Sequence, residues 1–234
     1  MITVYTVAYN EEFHVPYMME HYMERFPNCK FVVYDNMSTD QTVRCAKAYG
    51  AEIISYDTNN MFSDIANANI KNNAWKTANT DWVLMCDMDE FLDITEDQLK
   101  YEESLGSTII RSEGYNMINL ENNYDFHNIK YGERSTNYDK SYLFNKKFIT
   151  AINYGMGCHT CNPEGTIKPS INVYLAYHYH FINVDMVVSK YKRNSSRLSP
   201  ENIKNGWGKH YLITDNEARE KYLGICNRAK KIRS

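Results

Sequence analysis

The first 90 residues alternate short apolar runs with longer segments of helical periodicity, and this alternation limits the possible folds more than any other feature. Apolar, β-branched runs predict four buried strands, over residues 2–8, 31–34, 52–56 and 82–86. Amphipathic segments predict the helices between them, over residues 16–26, 39–49 and 64–78. Strands separated in this way pair in parallel, with helices on both faces of the sheet. We therefore expect an α/β protein with a central, mainly parallel sheet.

Local signals mark the starts of several predicted helices. Ser38 and Gln41 have the spacing of a capping box, in which two side chains bond the free N–H groups of a helix start, so we expect a helix from about residue 39. Thr95 and Gln98 repeat this spacing before a helix that reaches residue 104. Asn183 is a favourable N-cap for a later helix.

The pattern changes beyond residue 106, where short strands and long loops replace the regular alternation. Further elements are predicted as strands over residues 107–111, 141–149 and 172–181, and as helices over residues 183–194 and 216–232. This half is expected to extend the sheet with mixed or antiparallel strands. The sequence shows neither a Gly/Ser-rich or Pro-rich linker nor an internal repeat, so we expect a single domain.

The composition argues against several classes of protein. The net charge of −3 comes from 26 basic and 29 acidic residues, and the basic residues cluster only in the short tail Lys230, Lys231 and Arg233. Nucleic acid is therefore not an expected partner, because binding to its phosphates needs a concentrated cationic face. The apolar runs are far shorter than the roughly 18 residues of a membrane span, and residues 1–9 lack the features of a secretion signal. We expect a cytoplasmic protein whose six cysteines are mostly reduced.

Polar clusters follow three of the four predicted strands. Asn10 and Glu11 follow the first strand, residues 35–40 follow the second, and residues 87–90 follow the fourth. In a parallel sheet the carboxyl ends of the strands share one edge, and ligands bind in the crevice beyond it. The three clusters are therefore expected to form one site.

Asp87 and Asp89, directly after the apolar run at residues 82–86, carry the clearest chemical signal. The turn at the end of a strand can bring both carboxylates toward one cation. Mg²⁺ and Mn²⁺ take such oxygen ligands and keep positions open for water and for phosphate oxygens. The alternative is an acidic loop that only caps the strand. The buried strand before the pair and the two other polar clusters favour the metal site.

Three segments occur in a characteristic order: VAYNEE (residues 7–12), YDNMSTDQT (residues 34–42) and DWVLMCDMDEFL (residues 81–92). They resemble the nucleotide-binding half of GT-A glycosyltransferases, specifically the family 2-like group whose metal motif reads DxDE. The resemblance implies a GT-A (Rossmann-like) fold, with a mixed, mainly parallel sheet flanked by helices and a smaller antiparallel extension on the acceptor side. It also implies sugar transfer from a nucleotide-diphosphate sugar to a hydroxyl group of a glycan or another acceptor, with Mn²⁺ or Mg²⁺ and with inversion at the sugar carbon.

The same resemblance divides the chain and assigns residues to the ligands. A single GT-A-like domain is expected, with a nucleotide-sugar-binding half, an acceptor-side half and a C-terminal helical segment over residues 1–105, 106–200 and 201–234. Asp35 would bind the base, and the nucleotide would be bordered by Thr6, Ala8, Asn10, Glu11, Asp35, Ser38 and Asp87. Asp87 and Asp89 would bracket the metal. For Ser38, capping a helix is the alternative role.

A later segment, AYHYHFINVDMVVSKYKR (residues 176–193), is similar to the family's His-Tyr segment and the helix that follows it. By this resemblance His178 takes the position of a histidine that often completes the metal shell in GT-A enzymes. Neutral imidazole is a suitable third ligand beside two carboxylates. The alternative is that His178 and His180 lie on one face of a strand as ordinary interior residues.

The predicted helix after these histidines carries three cationic side chains, Lys190, Lys192 and Arg193. Any of them could reach the phosphates of the donor. We expect at least two of the three to lie on a solvated face of the helix.

Activation of the acceptor hydroxyl by an inverting enzyme requires a nearby base. The sequence does not rank the candidates, which all lie in the later half: Glu113, Asp125, Glu133, Asp139 and His159. His159 belongs to the Gly-containing stretch over residues 155–165, which is expected to shape the acceptor side. Cys158 and Cys161 in this stretch have CxxC spacing, but one CxxC lacks the second half of a tetrahedral zinc site and does not predict one.

Other function classes remain open. A phosphatase or phosphotransferase of the haloacid dehalogenase type also places DxD after a buried strand, but normally after the first strand and followed by Thr or Val, whereas Glu90 and Phe91 follow here. A sugar-nucleotide nucleotidyltransferase would carry a Gly-rich, Arg-containing phosphate loop where VAYNEE stands. The remaining alternative is a non-catalytic nucleotide-sugar or carbohydrate-binding module, against which the intact pair Asp87 and Asp89 argues.

Overall fold

The computed structural model describes residues 1–123 and 125–233 of the chain. The strands are β1 (Ile2–Ala8), β2 (Lys30–Asp35), β3 (Glu52–Ser55), β4 (Trp82–Asp87), β5 (Glu90–Asp93), β6 (Ile109–Ile118), β7 (Tyr131–Arg134), β8 (Leu143–Asn145), β9 (Ile149–Ala151), β10 (Glu164–Gly165), β11 (Pro169–His178) and β12 (Lys230–Lys231). The helices are α1 (Val15–Arg25), α2 (Thr42–Ala48), α3 (Asp64–Asn73), α4 (Glu96–Ser104), α5 (Val184–Ser195), α6 (Pro200–Asn205) and α7 (Asp215–Arg228). The predicted alternation of strands and helices is present. Strand β5, which begins at the last residue of the acidic motif at residues 87–90, is an addition to it.

The central sheet is mixed, and its parallel part is the predicted one. Strands β3, β2, β1 and β4 lie side by side in this order, and neighbours run parallel. Beyond β4, β8 is antiparallel to β4 and to β6, while β11 runs parallel to β6 and antiparallel to β5. Strands β7 and β12 extend the sheet beside β6 in antiparallel fashion, and β9 and β10 form a separate antiparallel pair. The predicted α/β class with an antiparallel extension is confirmed.

Helices cover both faces of the parallel strands because side chains alternate along each strand. On one face, Ile2 and Val4 of β1 belong to the same buried cluster as Met18 of α1. On the other face, Tyr5 of β1 belongs to a cluster with Trp75, which follows α3. Burial of an apolar side chain of this size stabilises the fold by roughly 1.5–3 kcal/mol. The sheet is thus held from both sides beneath the loops at its carboxyl edge.

A third cluster joins α5 to α7, for example through Val187 and Ile225. The predicted final helix was too long at its end, because the backbone of Lys230 and Lys231 pairs with the edge strand β7 instead of continuing α7. Pairing satisfies N–H and C=O groups that an edge strand would otherwise leave open. Ser234, the last residue of the predicted C-terminal segment, lies outside the described residues.

Helix α2 begins later than predicted. The Ser38 hydroxyl accepts a hydrogen bond from the N–H of Asn10 at 2.9 Å, and the Asp40 carboxylate accepts one from the N–H of Thr42, also at 2.9 Å. The polar side chains of this segment therefore bind the neighbouring loop and the first helical turn. The predicted capping box of Ser38 and Gln41 was wrong, whereas the one predicted at the start of α4 is present.

Strands of the later half differ from the prediction in their bounds. The strand predicted over residues 141–149 is divided into β8 and β9 by a turn at residues 146–148. Strand β6 is longer than predicted because it pairs with β11 on one edge and with β7 and β8 on the other. Strand β11 ends at His178, and a 3-10 turn, Tyr179–Phe181, replaces the predicted continuation of the strand.

A link between distant segments ties the chain after α5 to the loop before α3. Phe62 and Leu198 form a parallel β-bridge, in which the Phe62 N–H donates to the Arg197 carbonyl at 2.5 Å. The Asp64 N–H donates to Oδ1 of Asn202 at 3.1 Å, and the Asn202 amide donates to Oδ2 of Asp64 at 2.9 Å. Asn202 is completely buried. We call this set of bonds the 62–202 link.

Across residues 1–123 and 125–233, every helix is too short or too polar to cross a membrane. All six cysteines lie among the described residues and are free thiols. Cys158 belongs to the buried apolar cluster on the α3 face of the sheet, and Cys161 packs against that cluster.

Candidate functional site

The carboxyl ends of β1, β2 and β4 lie side by side, as the predicted parallel order requires. Ala8 at the end of β1 is level with Asp35 of β2, and Val7 is level with Asp87 of β4. The three polar clusters found in the sequence therefore meet at one edge of the sheet. The later half of the chain reaches the same edge through Lys140 and Lys190.

Hydrogen bonds join the loop after β1 to the loop after β2. Asn10 has a left-handed backbone (φ 53°), and its side-chain oxygen accepts the Thr39 N–H at 2.8 Å. The Asn10 N–H donates to the Ser38 hydroxyl at 2.9 Å, and the Glu11 N–H donates to the Thr42 hydroxyl at 2.7 Å. Asn tolerates this backbone because its short amide bonds locally. Asn10 and Ser38 thus shape the rim of the site, and their contact with a nucleotide stays a prediction.

Asp35 lies at the end of β2 and is 3% exposed. Its Oδ2 accepts the Ser38 N–H at 3.0 Å. Its Oδ1 is buried and has no hydrogen-bond partner among the residues that the structure describes. An unpaired buried acceptor costs about 1–3 kcal/mol. This oxygen is therefore suited to accept a hydrogen bond from a ligand.

Thr6 and Ala8, which were also predicted to border the nucleotide, are each 2% exposed within β1. Ala8 packs in the apolar cluster on the α1 face of the sheet. Their side chains offer a ligand little surface, so the structure places both beneath the loop that borders the site.

Tyr9, which follows β1, makes an aromatic contact that the sequence did not reveal. The guanidinium carbon of Arg197 lies 3.1 Å from the centroid of the Tyr9 ring, and the Tyr9 hydroxyl donates to Asn60 at 3.1 Å. Arg197 is 6% exposed, and burial lowers the pKa of its guanidinium group. Within the described part of the chain, Nη2 of Arg197 has no acceptor. The site edge thus holds an unpaired buried donor as well as an unpaired buried acceptor.

Asp87 ends β4, and its side chain is 40% exposed. Nζ of Lys71, on α3, lies 2.5 Å from Oδ1 of Asp87, and Nζ of Lys140 lies 3.9 Å from Oδ2. Both lysines are buried. Burial alone would lower the pKa of Lys71, but the Asp87 carboxylate raises it above its usual value, so the pair is ionic. Asp87 is therefore neutralised by lysines from two distant segments.

Glu90, the last residue of the acidic motif, is 2% exposed and holds the turn of that motif in place. Its Oε2 accepts the Asp87 N–H at 3.0 Å, and its Oε1 bonds the ammonium group of Lys140. Sequence reasoning missed Lys71 and Lys140. One lies in a polar helix and the other in a loop, and neither belongs to a pattern that marks a lysine as buried.

Asp89 is buried, and a single oxygen of its carboxylate faces three basic groups. Oδ2 lies 2.7 Å from Nζ of Lys190, 3.5 Å from Nε2 of His178 and 3.8 Å from Nδ1 of His180. Burial alone would raise the pKa of Asp89, but Lys190 and His178 hold it well below its usual value. Ligand atoms of Asp89, His178 and His180 all lie within 4.8 Å of one another, which suits a metal ion. We call these three residues the Asp-His-His group.

Backbone pairing brings the two histidines to Asp89. His178 is level with Glu90 in the antiparallel pair of β11 and β5, and the Tyr179 N–H donates to the Asp89 carbonyl at 2.8 Å. The 3-10 turn that follows carries His180 back to the same carboxylate. His178 therefore lies beside Asp89, whereas Asp87 is bonded to lysine, and the role of His178 as a metal ligand stays a prediction. The alternative with both histidines on one strand face was wrong, because β11 ends at His178.

Helix α5 contributes a second layer of charge. Lys190 lies 2.7 Å from Asp89 and 3.5 Å from Oε1 of Glu11, and Arg193 lies 2.8 Å from the same Glu11 oxygen. Burial would raise the pKa of Glu11, but Lys190, His14 and Arg193 lower it to about 2. The prediction that at least two of the three α5 cations are solvated was wrong, because only Lys192 points outward, toward Asp215. The amphipathic spacing alone did not show that α5 packs over the site.

Glu113 and Asp139, two of the predicted base candidates, are held by one arginine. Glu113 lies on β6 three residues before Asn116, the residue whose side chain bonds His178. Side chains three residues apart on a strand point to opposite faces of the sheet, so Glu113 points away from the face that carries His178. Nε of Arg134 lies 3.2 Å from Glu113, and its Nη2 donates to Asp139 at 2.7 Å. Asp139 also accepts the Gly114 N–H at 2.8 Å. Both carboxylates are thus engaged in bonds that fix the local backbone.

Glu133 and Asp125, two further base candidates, also bond neighbouring groups. Glu133 bonds the exposed side chain of Arg228 on α7. Asp125 caps a 3-10 turn by accepting the His127 N–H at 2.9 Å. The structure thus gives each of them a bond with an adjacent element.

His159, the remaining base candidate, is exposed and connects to the Asp-His-His group by ring contacts. Its ring meets Tyr138 edge-on with centroids 5.6 Å apart, and Tyr138 stacks on His178 with centroids 3.9 Å apart. Its Nδ1 lies 3.1 Å from the Asn137 carbonyl oxygen. Of the five candidates, His159 is the one that the described contacts join to the site.

Neither a protein-family model nor a curated protein sequence matches the chain. Among solved structures, the chain is similar to residues 1–349 of TarS from S. aureus, with 14% identity, 90% of this chain and 70% of that chain covered, and a TM-score of 0.50. The same TarS fragment in complex with UDP-GlcNAc gives 13% identity, 90% and 71% coverage, and a TM-score of 0.47. The mannosyltransferase PcManGT from Pyrobaculum calidifontis, in complex with GDP-Man and Mn²⁺, gives 14% identity, 95% and 73% coverage, and a TM-score of 0.44.

At this level of identity a likeness between structures speaks to fold, and the TarS fragment covers nearly the whole of this chain. The parallel strands β1–β4, the antiparallel extension and the site at the carboxyl edge are the parts that this fold arranges. The chain therefore has the GT-A fold, and its candidate site lies at the carboxyl edge of the parallel strands, where open α/β sheets generally bind ligands.

Proposed function

We propose that this protein is a glycosyltransferase that moves a sugar from a nucleotide-diphosphate sugar to a hydroxyl group of a glycan or another acceptor, using a divalent ion. The observation that carries the proposal is the meeting of metal-ligating and cationic side chains at the carboxyl edge of the parallel sheet. Asp89 and His178 offer ligands for an ion, and Lys71 and Lys140 place positive charge 2.5 and 3.9 Å from the carboxylate of Asp87, two residues away. A diphosphate bridged to an ion is the ligand that uses both features.

The donor nucleotide would lie along the loops after β1, β2 and β3. Oδ1 of Asp35 and Nη2 of Arg197 are a buried acceptor and a buried donor that a nucleobase edge could satisfy. Asn10 and Ser38 bond the loop after β1 to the loop after β2. In this proposal residues 1–105, together with Arg197, bind the donor, and the rest of residues 106–200 form the acceptor side.

The residues at the acidic motif fit Mn²⁺ or Mg²⁺, with Asp87, Asp89 and His178 as the set that the sequence resemblance implies. When bound, such an ion neutralises the charge that grows on the departing diphosphate. The protein's own groups hold the surroundings in place: Lys71 and Lys140 fix Asp87 and Glu90 by ionic bonds.

Transfer with inversion is part of the proposal, and it requires a base on the acceptor side. We take His159 as the first of the five candidates to test, because it is exposed and in ring contact with Tyr138 beside His178. A neutral imidazole can accept the proton of an attacking hydroxyl group.

Thermal unfolding with a panel of nucleotide-sugars tests the proposal. Ligand at about 100 times its dissociation constant stabilises the folded state by about 2.7 kcal/mol. We expect at least one nucleotide-sugar to raise the melting temperature in the presence of Mn²⁺, with a smaller effect in EDTA. Release of phosphate from a generic phosphoester, abolished by Asp87→Asn, would instead favour the haloacid dehalogenase class and contradict the proposal.

The role of Asp35 in base recognition has its own test. Asp35→Asn replaces the unpaired acceptor by an amide, and we expect the dissociation constants of the free nucleoside diphosphate and of the nucleotide-sugar to rise alike, by about tenfold. Calorimetry with both ligands measures this. A loss confined to the nucleotide-sugar would place Asp35 near the sugar and contradict base recognition.

A further inference from the structure

The two aspartates of the motif have different neighbours, and the ligands of an ion follow from that difference. We propose that the divalent ion is held by Asp89, His178 and His180, with Asp87 outside its ligand set, and that the site prefers a first-row transition ion such as Mn²⁺ to Mg²⁺. The proposal rests on the proposed function in that the ion serves the donor diphosphate. It adds His180 to the ligands, removes Asp87 and specifies the class of ion.

The spacing of the Asp-His-His group fits one ion. Adjacent octahedral ligands that each lie about 2.1 Å from an ion are about 3.0 Å from one another. Nε2 of His178 and Nδ1 of His180 lie 3.5 and 3.8 Å from the same oxygen of Asp89. The two imidazole rings are nearly parallel, at 15°. All three ligand atoms lie within 4.8 Å of one another, so the side chains would draw together to share one ion.

His178 is held in the tautomer that a ligand needs. Its Nδ1 lies 2.8 Å from the side-chain oxygen of Asn116, which can only accept, so Nδ1 carries the proton and Nε2 presents its lone pair to Asp89. Tyr138 stacks on the ring and fixes its plane. A second partner of this kind is what orients metal-ligating histidines in proteins.

His180 is equally prepared. Its ring packs against Phe181 and Tyr191, with centroids at 4.6 and 5.4 Å, so its Nδ1 stays directed at Asp89. The side chain is 8% exposed, so packing fixes its position. Two imidazole nitrogens and one carboxylate oxygen therefore face one another.

Lys190 has a second acceptor to which its ammonium group can move when an ion binds Asp89. Its ammonium group bonds the same Asp89 oxygen that faces the histidines, at 2.7 Å, but it has a second acceptor in Glu11 at 3.5 Å. An ion on Asp89 would repel the ammonium group toward Glu11. Asp87 does not belong to the set of ligand atoms that lie within 4.8 Å of one another, and its Oδ1 lies 2.5 Å from Nζ of the buried Lys71.

The donor set decides which ion binds. Mg²⁺ takes oxygen ligands and keeps several waters, whereas imidazole suits first-row transition ions. Two histidines and one carboxylate with open positions is the set that holds Fe²⁺ in non-haem oxygenases. The open positions leave room for oxygens of a diphosphate. The geometry thus points to Mn²⁺ or a neighbouring transition ion.

Metal-binding measurements on the stripped, full-length protein test the proposal. We expect calorimetry to give a dissociation constant for Mn²⁺ at least about tenfold below that for Mg²⁺. His180→Gln and Asp89→Asn should each raise the Mn²⁺ constant by about tenfold or more, whereas Asp87→Asn should change it less than threefold. His127→Gln, in the 3-10 turn Phe126–Asn128 and outside the Asp-His-His group, is the matched control and should behave as the unaltered protein.

A spectroscopic readout on the unaltered protein does not depend on whether a variant folds. Pulsed electron paramagnetic resonance of Mn²⁺ bound to the unaltered protein should show coupling to two imidazole nitrogens, and His180→Gln should leave one. Coupling to one nitrogen or none in the unaltered protein, or a loss of Mn²⁺ in Asp87→Asn as large as in Asp89→Asn, would overturn the ligand set. Donor binding is measured separately. A nucleotide-sugar that binds without these nitrogen couplings rejects the ligand set alone, while couplings without any donor binding or transfer reject the glycosyltransferase proposal alone.

Discussion

Asp87 and Asp89 stand two residues apart, yet their surroundings have little in common. Asp87 is 40% exposed and bonded to lysines that come from α3 and from the loop before β8. Asp89 is buried and faces two histidines and Lys190, which come from β11, the turn after it, and α5. Asp87 is neutralised by one lysine from each half of the chain, whereas the groups that face Asp89 all come from residues 178–190. A sequence motif of two acids thus becomes two sites with different chemistry.

The largest effect should come from Asp89→Asn, which removes the negative charge that we expect to bind the ion. We expect Mn²⁺-dependent stabilisation by a nucleotide-sugar to disappear and transfer to fall by at least about 1,000-fold. The amide keeps the shape of the side chain, and the circular dichroism spectrum serves as a control for folding. Donor binding that remains as strong and as Mn²⁺-dependent as before would contradict the role of Asp89 in binding the ion.

His159→Gln should leave both carboxylates undisturbed and act on the acceptor side alone. Loss of a base costs about 100-fold or more in turnover, so we expect kcat to fall by about 100-fold while the dissociation constants of Mn²⁺ and of the donor stay within a factor of two. Steady-state kinetics and calorimetry measure the two quantities. His127→Gln is the matched control, and unchanged kcat in His159→Gln would remove His159 from the list of bases.

Lys71→Met tests whether Asp87 and its lysine serve the donor rather than the ion. It leaves Asp87 without its closest cation, and because the carboxylate is partly exposed, water offsets part of the loss. We expect the donor dissociation constant to rise by about 30-fold and the Mn²⁺ constant measured without donor to change less than threefold. Lys71→Arg should recover most of the donor affinity. A loss of Mn²⁺ equal to the loss of donor would mean that Asp87 binds the ion after all.

Lys190→Met should have the smallest effect and the opposite sign. It removes the ammonium group that competes with an ion for Asp89, so we expect Mn²⁺ to bind about tenfold more tightly in the absence of donor. Lys192→Met, on the solvated face of the same helix, is the matched control. Weaker Mn²⁺ binding in Lys190→Met would show that the lysine supports the ion rather than competing with it.

The sequence predicted the parallel half of the sheet well, since apolar runs such as residues 82–86 are buried on both faces and read without ambiguity. It also predicted that His178 would approach the acidic motif. It could not predict the three lysines, because the burial of Lys71, Lys140 and Lys190 depends on which segments meet across the sheet. Nor could it find His180, which reaches Asp89 only because β11 stops at His178 and turns.

Sequence spacing also failed where side chains serve a neighbouring loop. Ser38 has the position of a helix cap but bonds Asn10, a contact that depends on the parallel order of β1 and β2. The base candidates show the same limit, since acidic residues such as Glu113 and Asp139 look alike in sequence until Arg134 is found between them.

The 62–202 link has a consequence for how the chain can be divided. It fastens the segment that carries Arg197 onto the loop before α3, so the rim of the candidate site is assembled from segments far apart in the chain. A fragment that stops before residue 197 would leave Asp64 without its buried amide partner and Tyr9 without the guanidinium group above it. The candidate site therefore has no minimal N-terminal version, and cutting the chain at the midpoint would leave this rim incomplete.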